Sequence, residues 1–267
     1  MDRPPDYLVI GHITKDIVTD GLFTIGGTVT YAATTACNLG QRTAIVTRAD
    51  SSLNLSHLEE RGICILRLSS SETTTFQNIY LDGTRLQYIR AVAPNITSND
   101  VPPAWRRARI VHLGPLTQEL PSSIVRCFPG ALVGVTPQGW MRHWGADGLV
   151  HPTAWEGVDE VMATAHVLVY SIQDVAGDEG LIRHYGSLAR IMVVTQGARG
   201  ATVYCKGQRP RHFPAFVTVE VDPTGAGDVF CAAYLVVDLG SPGILHSFPG
   251  CRNTASRFTG HGYFSDK

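Results

Sequence analysis

An aspartate placed directly after a Gly-Ala-Gly turn is a poor partner for phosphate, because like charges repel. It is well placed to take a proton beside one. Residues 222–228 read Asp-Pro-Thr-Gly-Ala-Gly-Asp, and Val229-Phe230-Cys231-Ala232-Ala233-Tyr234-Leu235 continues them as an apolar helix. The glycines allow a tight turn in which the N–H groups of Gly225, Ala226 and Gly227 converge as an anion hole. A helix that begins there adds the positive end of its dipole. Asp228 then reads as the catalytic base for a hydroxyl that attacks phosphorus. The plainer alternative is a Gly-rich turn whose aspartate caps the helix.

A second carboxylate, Asp16, stands five residues after Gly11, just past the end of the first expected strand. Ligands of open α/β sheets collect beyond such ends. Asp16 could accept hydrogen bonds from two adjacent hydroxyls of a polyol, or be a solvated turn aspartate. Gly26-Gly27, before the next helix, lets the backbone approach a ligand closely. In Val193-Val194-Thr195-Gln196-Gly197-Ala198-Arg199-Gly200, the residues Thr195, Gly197 and Gly200 could hold nucleotide phosphates. A Gly-rich hairpin explains the same spacing. The sequence contains no G-x-x-x-x-G-K-[ST], so a P-loop ATPase is excluded, and its ten histidines show no paired metal spacing.

These residues need a scaffold, and strand and helix signals alternate as in a mostly parallel sheet covered by helices. Strands are expected at Tyr7–Gly11, Thr43–Thr47, Ile63–Leu68, Ile110–Leu113, Ala131–Val135, Val167–Tyr170 and Ile191–Thr195. Helices are expected at Thr28–Leu39, Asn54–Arg61, Glu119–Cys127, Val175–Tyr185 and Gly227–Leu239, with Pro94–Pro103 as a connector. Two segments fall outside this layering: Thr14–Ile25, and a hairpin over Thr73–Ile89 that turns at Asp82-Gly83. On spacing alone that hairpin could equally sit at the edge of the main sheet.

The 267 residues suffice for one large α/β domain, and a net charge of −1 gives no electrostatic case for nucleic acid or an anionic membrane. The six cysteines are scattered, without a C-x-x-C pair, and read as buried free thiols. No leader or membrane-spanning run is visible, so the cytoplasm is the expected compartment.

The D-P-T-G-A-G-D run and its helix resemble the second signature of the PfkB (ribokinase-like) carbohydrate kinases. Other elements of that family follow in order: Tyr7-Leu8-Val9-Ile10-Gly11, Asp16, Gly26-Gly27, and Val193–Gly200 as its nucleotide-side motif. The resemblance implies an α/β fold, a ribokinase-like three-layer sandwich with a central mostly parallel sheet and a small β lid. Residues 1–267 would form a single kinase domain, with lid strands from about 14–25 and 73–90. It also implies ATP and Mg²⁺ as cofactors and a small sugar or polyol as acceptor. Substrate would be bound by Asp16, Gly26, Gly27, Tyr31, Gln77 and Arg142, and nucleotide by Thr195, Gly197, Gly200 and Thr224. A homodimer through the lid is the partner so implied.

The departures carry information. Ribokinase-type kinases have asparagine where this chain has Tyr31, which argues against ribose and for a ring with a flatter apolar face. With Thr73-Thr74-Thr75-Phe76-Gln77-Asn78 and Asn99-Asp100-Val101-Pro102, the chain looks closest to the myo-inositol-kinase-like branch. Ser171-Ile172-Gln173-Asp174 stands where the family shows N-x-x-E, so Asp174 would reach Mg²⁺ only through water, or would simply cap the next helix. In Thr136-Pro137-Gln138-Gly139-Trp140-Met141-Arg142 only Arg142 matches the family; it could meet the transferred phosphate or be a surface arginine. After Gly240 the family continues with further helices, whereas residues 241–267 read as a short, polar, aperiodic tail that would leave the adenine pocket incomplete. The expected activity is ATP-dependent phosphorylation of a hydroxyl on a small sugar or polyol such as myo-inositol. Two alternatives stand beside it: a catalytically impaired sugar- or nucleotide-binding member, and a nucleoside or ribose kinase.

Overall fold

The computed structural model describes residues 3–19, 21–81, 84–219 and 222–240; the Asp82-Gly83 turn and residues 241–267 lie outside the described residues. Along the chain, β1 (Tyr7–Ile10), β2 (Thr14–Thr19) and β3 (Leu22–Gly26) lead into α1 (Thr28–Asn38). Then come β4 (Thr43–Asp50), α2 (Ser56–Glu59), β5 (Cys64–Ser70), β6 (Thr74–Leu81) and β7 (Thr84–Ala91). The middle holds β8 (Ile110–Leu113), β9 (Leu132–Val135), β10 (Arg142–Trp144) and β11 (Val150–Pro152). The last part is α3 (Val158–Thr164), β12 (Val167–Ser171), α4 (Glu179–Leu188), β13 (Ile191–Thr195), β14 (Ala201–Cys205), β15 (Arg211–Phe213) and α5 (Ala226–Gly240).

The main sheet has nine strands in the order β15-β14-β13-β12-β9-β8-β1-β4-β5. Every neighbouring pair from β13 to β5 is parallel, and only β14 and β15 run against their neighbours. The central strands are short apolar runs because both faces are covered. On one face Tyr7, Val9, Ile45 and Val169 pack with Val29, Ala32 and Ala36 of α1 and with Cys231, Ala232 and Leu235 of α5. The alanines let α1 lie directly beside α5. On the other face Leu8, Ile10, Val111 and Leu168 meet α3, α4 and the Trp140–Trp155 stack. These layers give the expected three-layer α/β sandwich.

Residues 14–26 and 74–91 form a separate four-stranded sheet, in the order β3-β2-β6-β7, so the hairpin does not extend the main sheet. Its parallel β2–β6 pair sets Asp16 beside Phe76 and Ile17 beside Gln77. A short third sheet, β10–β11, docks on β7 where Ile89 donates its N–H to the Gly148 carbonyl at 2.8 Å.

Three helix expectations need correction. Glu119–Cys127 is not an α-helix; a 3-10 turn spans Ser122–Cys127, because Pro121 sits at its start and Glu119 is committed to loop amides. Asn54–Arg61 shortens to a single turn, Ser56–Glu59. Val175–Tyr185 starts later, at Glu179, since Ala176 adopts φ 48° and Asp178 caps α4 by accepting from the N–H groups of Gly180 and Leu181. None of the five described cysteines forms a disulfide, but only Cys231 is buried and Cys64 is exposed, against the expectation of buried thiols. No helix among the described residues is long and apolar enough to cross a membrane.

Candidate active site

Parallel strands bring Ile10, Leu113, Val135, Ser171 and Thr195 to one edge of the main sheet. Helix α5 starts above that edge and crosses β8, β9 and β12. Its first helical bond runs from the Val229 N–H to the Gly225 carbonyl at 2.9 Å. The Ala226 N–H is already given to the Pro223 carbonyl, 3.1 Å away. No bond is described for the amides of Gly227 and Asp228, as expected for the first turn of a helix. These two amides, rather than Ala226, are therefore free to meet an anion.

Asp228 is partly buried at that turn and accepts a hydrogen bond from the hydroxyl of Thr28, the first residue of α1. Two helix N-termini thus meet on one carboxylate. Burial pushes the Asp228 carboxyl up to about 7; the Thr28 hydrogen bond opposes this, the charge of Asp174 adds to it, and Arg142 opposes it. A carboxylate held near neutrality is suited to exchanging a proton.

Tyr31, one turn into α1, lies flat against the Gly225 turn. A β-carbon on Gly225 would fall 2.3 Å from the Tyr31 ring, and Gly225 also adopts φ 76°, so glycine is required there twice over. Burial raises the Tyr31 hydroxyl above its usual pKa, and the charges of Asp16, Asp222 and Asp228 raise it further. Tyr31 therefore stands within electrostatic range of all three carboxylates. Asp222 is spoken for locally, since it accepts the Thr224 N–H at 2.9 Å; Thr224 itself is exposed.

Asp16 sits in the middle of β2, with the Thr14 hydroxyl donating to its Oδ1 at 3.1 Å. The position a β-carbon would take on Gly26 is 2.1 Å from Asp16 Oδ2. Gly26 thus makes room for the carboxylate itself, while Gly27 forms the N-cap of α1. Strand register puts Gln77 on the opposite face of the second sheet from Asp16, where it accepts from Arg90 Nε at 2.9 Å. The structure does not bring Gln77 to the face that carries Asp16. The residue that shares the Asp16 face is Asn78, hydrogen-bonded to Gln87 across β6–β7 at 3.0 Å. The alternation of Thr74, Phe76 and Asn78 carried that signal in the sequence.

Both carboxylate oxygens of Asp174 are occupied: Ser171 N–H donates to Oδ2 at 2.8 Å and Gln138 Nε2 to Oδ1 at 3.2 Å. Asp174 closes a capping box with Ser171. Among the described residues there is no group of three or more His, Cys, Asp or Glu placed to hold a metal ion. On the far side, Thr195 donates to the Tyr170 carbonyl at 3.4 Å, and Gly197 and Gly200 form the tight β13–β14 connection. Arg142 lies within electrostatic range of Asp228, at the start of β10.

A buried carboxylate that sequence reasoning passed over holds the β1–β2 connection beside Asp16 in place. Glu119 is 0% exposed and accepts the backbone N–H groups of His12, Leu116 and Thr117. The His12 ring next to it bonds the Thr74 hydroxyl at 2.7 Å and the Pro94 carbonyl at 3.0 Å, joining the main body to the second sheet.

Comparisons with known proteins agree with this architecture. Residues 164–239 match the model of the pfkB family carbohydrate kinases. A cytidine kinase of Thermococcus kodakarensis is 25% identical over 247 residues, covering 86% of this chain and 87% of the relative. A sulfate complex of a pyrophosphate-dependent kinase in the ribokinase family superposes with a TM-score of 0.75 at 25% identity, covering 87% of each chain. A pyrophosphate-dependent kinase of that family, complexed with a pyrophosphate analogue and myo-inositol, gives 0.74 at 24% identity, with the same coverage. Over residues 164–239 the chain thus carries the signature region of the pfkB family carbohydrate kinases, and its fold is that of kinases in the ribokinase family.

Proposed function

We propose that the protein transfers a phosphoryl group from a phosphate donor to a hydroxyl of a small polyol or sugar, with Asp228 as the base. The observation that carries this reading is Asp228 itself: a carboxyl pushed up to about 7 at the start of α5, tied to the N-terminus of α1 by Thr28. Asp16 and Tyr31 would orient the acceptor, Asp228 would take its proton, and the Gly227 and Asp228 amides would steady the transferring group. The second sheet would act as a lid that keeps water from the donor. Its exposed Val18, Leu22 and Phe23 offer the surface for a homodimer.

A cyclic polyol suits Tyr31, whose ring supplies an apolar face while its hydroxyl lies within electrostatic range of three carboxylates. The neighbour bound to myo-inositol supports the same choice. For the donor, both ATP and pyrophosphate are candidates, the second because the structural neighbours use it. Thr195, Gly197 and Gly200 would hold ATP phosphates, with Arg142 nearer the transferred group. Mg²⁺ binds mainly through substrate phosphates and water, so it is a variable of the assay rather than a step derived from the chain. A nucleoside acceptor is the second reading, favoured by the cytidine kinase relative.

The test crosses ATP and pyrophosphate, with and without Mg²⁺, against myo-inositol, ribose, fructose, adenosine and cytidine. Preferred turnover of myo-inositol is expected; preference for a nucleoside overturns the polyol assignment, and no turnover with any pair overturns the kinase reading. Asp16→Ala should weaken acceptor binding by about 2–4 kcal/mol and leave donor binding unchanged. Calorimetry that finds equal acceptor affinity in the variant removes Asp16 from the site.

A further inference from the structure

Beneath α5 runs a buried polar chain that the proposed chemistry has not used. The Tyr7 hydroxyl lies 2.7 Å from His112 Nδ1, and His112 Nε2 lies 3.0 Å from the Thr136 hydroxyl. Tyr7 and His112 are 0% exposed and Thr136 is 7% exposed, at the end of β9. Their surroundings on this face are Val9, Ile110, Val167 and Leu235, so each polar atom must find a partner inside the chain.

That requirement fixes the direction of every proton. Tyr7 has His112 Nδ1 as its one described partner, so its hydroxyl must donate there or leave a proton unpaired in an apolar layer. Nδ1 is then an acceptor. Burial holds His112 down to about 3, so the ring is neutral and its single proton sits on Nε2. Nε2–H donates to the Thr136 oxygen. The Thr136 proton is left over, and no acceptor for it is described. A polar chain with one surplus donor has delivered it to its most accessible end.

That end lies at the sheet edge where the site sits. Gly134, two residues before Thr136, packs against Leu235 of α5, and Tyr7 lies within electrostatic range of Asp228. Resting on the phosphoryl-transfer reading, we propose that Thr136 binds a phosphate oxygen of the donor, and that Tyr7 and His112 are positioning residues that force its hydroxyl to donate.

Two measurements on the full chain decide this. Imidazole ¹⁵N spectra should show His112 as the Nε2–H tautomer; an Nδ1–H ring overturns the proposal. Thr136→Val and Thr136→Ala should each lower kcat/KM for the donor about 10- to 100-fold with the acceptor KM unchanged, and Thr136→Ser should recover to within about 3-fold of the parent. Donor kinetics within about 2-fold of the parent in both hydroxyl-free variants overturn it, as does equal loss on the acceptor side. If the parent itself shows no turnover, the kinase reading fails, and calorimetry with pyrophosphate decides the inference: weaker binding to Thr136→Val supports it and equal binding overturns it.

Discussion

Asp228→Asn is expected to cut turnover by at least about 100-fold and at the same time to make the protein more heat-stable above pH 7. The first effect follows because the amide cannot accept the acceptor's proton. The second follows from linkage. Asp228 is pushed up to about 7 in the folded chain, whereas an unfolded aspartate titrates near 4. The folded state therefore holds a proton that the unfolded state has lost between those values. The associated stability is fully present below about pH 4 and is lost as pH rises through about 7. The ceiling is about 4 kcal/mol, and solvent contact at this partly buried group reduces it. Asparagine is neutral throughout, so melting temperatures of the variant should vary less between pH 5 and 8 than those of the parent. In the parent, the rate should fall about tenfold per unit as pH drops below about 7. Near-normal turnover in the variant sinks the assignment of Asp228 as base.

The features legible in the sequence were those whose chemistry is local. Asp-Pro-Thr-Gly-Ala-Gly-Asp announces a turn, a helix start and a carboxylate within seven residues, and the apolar runs of Ile110–Leu113 and Ile191–Thr195 match their strands residue for residue. What stayed hidden depends on contacts between distant segments. Gln77 was grouped with Asp16, but the β2–β6 register, set across some sixty residues, turns it to the other face. Tyr31 was read as a substrate contact, and its stacking on Gly225 could not be seen because nearly two hundred residues intervene. Tyr7 and His112 read as strand residues and Thr136 as the first residue after a strand; only the assembled sheet shows them as one hydrogen-bonded chain. The same holds for Glu119, whose partners are backbone amides, and backbone amides leave no mark in a sequence.

Glu119→Ala is therefore expected to be among the most damaging single changes outside the reacting groups. Its Oε1 accepts the His12 N–H at 2.9 Å and its Oε2 accepts those of Leu116 at 2.9 Å and Thr117 at 2.7 Å. The alanine variant leaves three buried amides without a partner, each worth about 1–3 kcal/mol, with entering water recovering part. A net loss of about 3–5 kcal/mol is expected in urea or thermal unfolding. Glu119→Gln should cost less, about 2 kcal/mol, because one oxygen still accepts while the new NH₂ faces an N–H donor. The damage should also be directional. His12 connects β1 to β2, on which Asp16 lies, so loosening the His12 amide frees the strand that carries the acceptor carboxylate. At temperatures where the glutamine variant is fully folded, the acceptor KM should rise several-fold while the donor KM stays near that of the parent. Loss of less than about 1 kcal/mol in the alanine variant, or an equal rise in both KM values for glutamine, would show that Glu119 does not anchor the acceptor side.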